Sequence, residues 1–229
     1  MNRTGIATSP RHGSRMKEGA GSTVPTASGD VEICSLIRKD YAQRHDSVGS
    51  VPVPTTVRGL SQAVIQRLRG GRLEVLLDKL GERLACERTS IRLYDLLLTK
   101  CEARPDESAR VPLDLLRTFR TDELHHRAML AGFIESLGAD PTALTPSADV
   151  IGVATQGLLQ VLADPRTSVA QALVAMQLAE LGDNDGWALL IRLAEDFSLS
   201  DMTNAFERAY VVEQRHLNEL RDAVAETTH

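Results

Sequence analysis

The sequence predicts an all-α protein built on a four-helix bundle. Leu and Ala abound while Phe, Trp and Tyr make up only 3% of the 229 residues, a balance that favours helices over sandwiches or barrels. Four long stretches repeat apolar residues at alternating steps of three and four. The second and third stretches are separated by a connection long enough to cross a whole bundle.

Bulk properties narrow the function classes. A chain that is 42% hydrophobic and 25% charged fits one ordinary globular domain with some surplus. Its net charge of −5 is uneven: residues 1–56 carry +2, so the remainder carries −7. An acidic body argues against a nucleic-acid surface and suits cations. Cys34, Cys86 and Cys101 form no Cys-x-x-Cys pair and cannot all pair within one chain, as a reducing compartment permits. There is no apolar run of eighteen residues and no apolar signal-peptide core near the N-terminus, so the expected location is cytoplasmic, away from membranes.

In chain order, Met1 to Asp30 is rich in Gly, Ser, Thr and Pro and is expected to be disordered in isolation. Val31 to His45 suits a short helix with Ile33, Leu36, Ile37 and Tyr41 on one side. Ser47 to Thr56 holds Val51-Pro52-Val53-Pro54, an extended linker, because each proline pushes its predecessor out of helical geometry. Residues 1–56 thus form a flexible extension, read either as a tail or as an arm docking to a partner, and residues 57–229 form the bundle domain. A short helix is expected from Val57 to Leu68, ended by Gly70-Gly71.

The first long helix runs from Arg72 to Cys101, with the stripe Leu77, Leu80, Leu84, Glu87, Ile91, Tyr94, Leu98. Gly81 weakens it by about 1 kcal/mol relative to Ala without breaking it. A polar loop, Ala103 to Ala109, leads to a second helix from Val111 to Leu137, striped by Leu116, Phe119, Glu123, His126, Leu130, Phe133 and Leu137. Gly138 and Pro141 stop it. Within the crossover, Ser147 to Leu162 reads as one extra helix closed by Asp164-Pro165. Ser168 and Gln171 make a capping box for the third helix, which carries Leu173, Met176, Glu180, Asp183, Trp187, Leu190 and Ala194 on one face. Ser200 is the expected N-cap of the fourth, striped by Met202, Phe206, Ala209, Glu213, His216, Leu220 and Ala223. The last five residues are expected to fray.

A glutamate stands in the apolar seam of each long helix: Glu87, Glu123, Glu180 and Glu213. Buried carboxylates are costly unless paired or bound to metal. Glu123-x-x-His126 and Glu213-x-x-His216 each place two ligand types on one helical face, aimed at one ion. Spacing alone is weak evidence, since roughly 0.4 such pairs arise by chance in this composition, and Glu226 to His229 is an accidental third. The first two are set apart by lying in apolar stripes, each following a helix with its own seam glutamate. Together the six residues make a mixed N/O set suited to two iron or manganese ions rather than to tetrahedral zinc.

Other residues keep two readings. Asp183 is either an acceptor behind a ligand or a polar surface residue, and Tyr94 either hydrogen-bonds a ligand on another helix or packs. His125 is turned about 100° from His126 and belongs at the bundle flank. Glu82 falls outside the seam, and Cys86 reads as a small core residue. Asp183-Asn184-Asp185-Gly186 lacks the later glutamate of a calcium loop.

The ordered set Glu87, Tyr94, Glu123-x-x-His126, Glu180 and Glu213-x-x-His216 resembles the ferritin-like superfamily, in the bacterioferritin and rubrerythrin style, over about Arg72 to Ala225. The segments Leu80 to Arg88 and Ala179 to Trp187 are similar to a bacterial group of ferritin-like-domain proteins without a settled activity. The resemblance implies that Glu123 and Glu213 bridge two metal ions, with Glu87 and His126 terminal on one and Glu180 and His216 terminal on the other. It implies Fe(II) oxidation by O2 or peroxide, in iron handling or oxidative-stress defence, with dimanganese peroxide disproportionation as the alternative. The long crossover and the N-terminal extension argue against a self-made storage cage. No rubredoxin-like Cys-x-x-Cys module is present. A homo-oligomer, or a non-catalytic role in which the extension docks to a partner, stays open on sequence.

Overall fold

The structure, a computed structural model, describes residues 15, 18, 19, 29–52 and 72–228. The chain forms two compact units, Met1–Ser47 and Val48–His229. In the first, α1 spans Gly29–Arg44, and its Ile33, Leu36, Ile37 and Tyr41 are all exposed. The helix expected over Val57 to Leu68, and the 56/57 boundary, lie outside the described residues.

The second unit is all-helical among its described residues. Its four long helices are α2 (Arg72–Ala103), α4 (Leu113–Ser136), α7 (Val169–Asp196) and α8 (Ser200–Thr228). Between them lie α3 (Pro105–Ser108), α5 (Pro146–Ala154) and α6 (Gln156–Ala163). Two apolar clusters fill the bundle. One joins Leu93 to Cys101 of α2, Leu116 and Phe119 of α4, Val169 to Met176 of α7, and Leu220 and Ala223 of α8. The other joins Leu76 to Leu84, Leu130 to Leu137, Trp187 to Ala194, and Met202 to Ala209. The start of α4 and the start of α7 therefore share one end, and these helices run parallel. The crossover between them returns the chain along the bundle, as its length requires.

Several contacts fasten the crossover to α2. Asp78 accepts hydrogen bonds from the backbone N–H and the hydroxyl of Ser147. Lys100 donates to the carbonyls of Asp164 and Thr167. At Gly81 a Cβ would lie 2.6 Å from the Thr145 hydroxyl. The glycine that weakens α2 locally is thus the point where the crossover approaches its backbone.

Several local expectations need correction. The single crossover helix is two, divided at Thr155, whose N–H and hydroxyl both donate to the Ile151 carbonyl at the end of α5. The polar loop holds α3, whose Glu107 carboxylate accepts the Val169 N–H at the start of α7. The capping box of Ser168 and Gln171 is formed in both directions. Ser200 is the first helical residue of α8 rather than its cap, and Leu199 supplies the first carbonyl, to Thr203. The C-terminal turns continue through Thr228, with Arg110 donating to the Glu226 carbonyl.

The turn from α7 to α8 is closed by Ser198 N–H to Glu195 and Leu199 N–H to Ala194, with Ser198 at φ 55°. This is a Schellman stop in which a residue with a Cβ occupies the left-handed position that glycine fills at no steric cost. Ser198→Gly should raise stability by about 0.5–1 kcal/mol, the relieved strain exceeding the added chain entropy. A higher urea midpoint with an unchanged slope checks this, and a lower midpoint contradicts it.

Candidate metal centre

Between the two apolar clusters the seam turns polar. Each long helix contributes from the same face that carries its leucines, so helical phase alone drives these side chains inward. Glu87 of α2, Glu123 of α4, Glu180 of α7, and Glu213 and His216 of α8 are completely buried, and His126 is 8% exposed. All six residues named from the sequence come together. They form two overlapping groups, Glu87, Glu123, His126, Glu213 and Glu123, Glu180, Glu213, His216. Within each group, one potential ligand atom per residue lies within 4.8 Å of all the others. Glu123 and Glu213 belong to both.

The histidines point Nδ1 into the cluster. His126 Nδ1 stands 2.7 Å from Glu213 Oε1 and 3.8 Å from Glu87 Oε2. His216 Nδ1 stands 3.2 Å from Glu213 Oε2, 3.5 Å from Glu123 Oε1 and 3.8 Å from Glu180 Oε2. None of these contacts has hydrogen-bond alignment. Both oxygens of Glu87, Glu123 and Glu213, Oε2 of Glu180 and both Nδ1 atoms are buried with no hydrogen-bond partner. So many orphaned acceptors in one place are far outside the ordinary pattern of a protein interior. Two divalent cations would satisfy them together, so the donor set fits a dimetal site.

Residues around the cluster fix its members. The Tyr94 hydroxyl donates to Glu180 Oε1 at 2.6 Å, which settles its two readings in favour of the hydrogen bond. Asp183 is 4% exposed and accepts from Arg83 and from the Ser90 hydroxyl, so it is no surface residue. Asn184 donates to the carbonyls of Glu180 and Glu213, tying α7 to α8 beside the site. The His216 ring turns Nε2 toward Asp122 Oδ2 at 3.2 Å. His125 is exposed, Glu82 pairs with Lys79, and the calcium-like tetrapeptide lies inside α7. Burial pushes the Cys86 thiol up to about 12, leaving it neutral.

Sequence reasoning missed Arg83, Ser90, Asp122 and Asn184. Arg83 had a signal, since it stands one turn before Glu87 on the same helical face. Asp122 gave none, because it adjoins Glu123 and faces partly outward.

The electrostatics follow from this crowding. Burial lifts Glu87 to about 7 despite the nearby Glu123 and Arg83. Burial, then repulsion from Glu213, lifts Glu123 and Glu180 well above the usual range. Burial also acts to raise Glu213, but its close contacts with His126 and His216 outweigh it and hold that carboxyl low. Burial opposes charge on both histidines, yet Glu213 beside His126, and Asp122 with Glu213 beside His216, raise them.

Comparison with known proteins supports the architecture. No family model matches the sequence, and no curated protein matches it. The crystal structure of ferritin-like, diiron-carboxylate proteins from Bacillus anthracis strain Ames superposes with a TM-score of 0.52. It covers 72% of this chain and 99% of that one at 19% identity. The fold is therefore ferritin-like. Among the described residues no helix is long and apolar enough to cross a membrane.

A pH prediction follows for metal-free protein. Between pH 4.5 and about 7 folded Glu87 keeps a proton that the unfolded chain has released, so stability falls as pH rises. Glu123, Glu180 and both histidines act in the same direction. The melting temperature of chelator-treated protein should drop across this window, and Mn(II) should flatten the dependence. A rise from pH 5 to 7 without metal would contradict the account.

Proposed function

We propose that this protein binds two iron ions and oxidises Fe(II) with O2 or peroxide, serving iron handling or oxidative-stress defence in a reducing cytoplasm. The observation that carries the reading is the pair of overlapping ligand groups that share Glu123 and Glu213. Glu87 and His126 would hold one ion, Glu180 and His216 the other, and the two shared carboxylates would span both. Held there, two Fe(II) would supply two electrons together and become two Fe(III), enough to take O2 and two protons to H2O2, or H2O2 and two protons to two waters.

The chain's own groups prepare that chemistry. Tyr94 restrains Glu180 by its hydroxyl hydrogen bond. Asp122 facing Nε2 of His216 favours the proton on that nitrogen, leaving Nδ1 free as a donor to metal. The apolar clusters on either side exclude water, which strengthens charge interactions inside the site. The three cysteines are free, in keeping with a compartment where Fe(II) persists.

Metal-free protein should take up about two Fe(II) per chain under anaerobic conditions and oxidise them rapidly when O2 or peroxide is added. Glu123→Ala with Glu213→Ala should lose both properties. Unchanged iron oxidation in the variant would overturn the reading. Peroxide consumption with manganese but not with iron would move it to the dimanganese alternative.

A further inference from the structure

Resting on the dimetal reading, we infer that Arg83 ranks the two metal positions: the Glu180/His216 side fills first, and the Glu87/His126 side fills second and more weakly. Among the described residues, and apart from the two histidines, Arg83 is the cationic side chain set against the buried cluster. It is 3% exposed, and its Nε lies 3.0 Å from Glu87 Oε1 with no hydrogen bond of its own. The matching carboxylate on the other half meets no guanidinium: Glu180 Oε1 accepts from the neutral Tyr94 hydroxyl, and its Oε2 lies 3.8 Å from His216 Nδ1, just as Glu87 Oε2 lies 3.8 Å from His126 Nδ1.

The guanidinium is built in rather than passing by. Nη1 donates to the Asp183 carbonyl at 3.1 Å, and Nη2 donates to the Asp183 carboxylate, whose other oxygen accepts from Ser90. It lies beside Gly186, where an added Cβ would meet Nη1 and displace the guanidinium from its present position. Trp187 flanks it, with the guanidinium carbon 5.9 Å from the ring centroid.

Two effects follow, and both weaken the same position. Arg83 engages Oε1 of Glu87, so Oε2, which faces His126, is the oxygen left for an ion. The guanidinium also repels a cation approaching Glu87, in a dry interior where charges are poorly screened. Asp183 neutralises Arg83 from the far side, so the pair acts as a dipole with its positive end toward Glu87. On the opposite half, Tyr94 holds Glu180 with no added charge, and Asp122 favours the Nδ1-donor form of His216.

Mn(II) titration of the metal-free full-length protein, followed by equilibrium dialysis and by electron paramagnetic resonance, separates the positions. The parent should fill in two steps at least roughly tenfold apart, an isolated Mn(II) signal giving way to a coupled pair. Glu87→Gln should keep the first step and lose the second, whereas Glu180→Gln should lose the tight step. Arg83→Met combined with Asp183→Leu removes both charges and should shrink the gap between steps while retaining both ions. Circular dichroism checks its fold, and the two single variants test the order independently of it. Loss of the tight step in Glu87→Gln, or an unchanged gap in the folded double variant, would overturn the ranking and leave the dimetal reading intact. Failure of the parent to bind any Mn(II) or Fe(II) would overturn both.

Discussion

Four carboxylates, each completely buried and each on a different helix, meet within one cross-section of the bundle. Taking even one carboxylate out of water costs several kcal/mol, and crowding four of them adds mutual repulsion. That cost is the constraint around which the molecule is arranged. The apolar clusters above and below supply the burial that offsets it. Tyr94, Asp122 and Arg83 touch the members of the cluster from outside, while most of the interior-facing oxygens have no hydrogen-bond partner. Such an arrangement leaves the centre of the cross-section to cations.

The two halves of the site look like repeats in sequence and differ in structure. Each half has a seam glutamate followed on the next helix by Glu-x-x-His. Their surroundings diverge, because α2 carries both Arg83 and Tyr94. Tyr94 reaches across to Glu180, and Arg83 stays beside Glu87 of its own helix. The crossover then fixes α2 against the start of α7 through Lys100 and against α5 through Asp78. These contacts hold the register that lets α2 face α7 at the level of the cluster.

Much of this was legible in the sequence because helical phase is a strong signal. Glu87, Glu123, Glu180 and Glu213 each interrupt a run of leucines, alanines and aromatics at the step where another apolar residue belongs. The capping box of Ser168 and Gln171 was equally plain, since both partners are local. What stayed hidden depends on contacts distant in sequence. The pairing of Arg83 with Asp183 joins residues on different helices, and Gly186 matters only because that guanidinium lies on it. The break at Thr155 falls where no proline interrupts the helical pattern, so nothing local announces it. The last turn of α8 is met by Arg110, from the turn before α4, which donates to the Glu226 carbonyl.

The central claim is that this cross-section holds two metal ions between Glu123 and Glu213. Anomalous diffraction at the iron absorption edge, from crystals grown with Fe(II) under anaerobic conditions, tests it most directly. The account predicts two anomalous peaks inside the bundle, one bonded to Glu87 and His126, the other to Glu180 and His216, both reached by Glu123 and Glu213. An iron-saturated crystal with no peak among these six residues, or with peaks only on the surface, would contradict it.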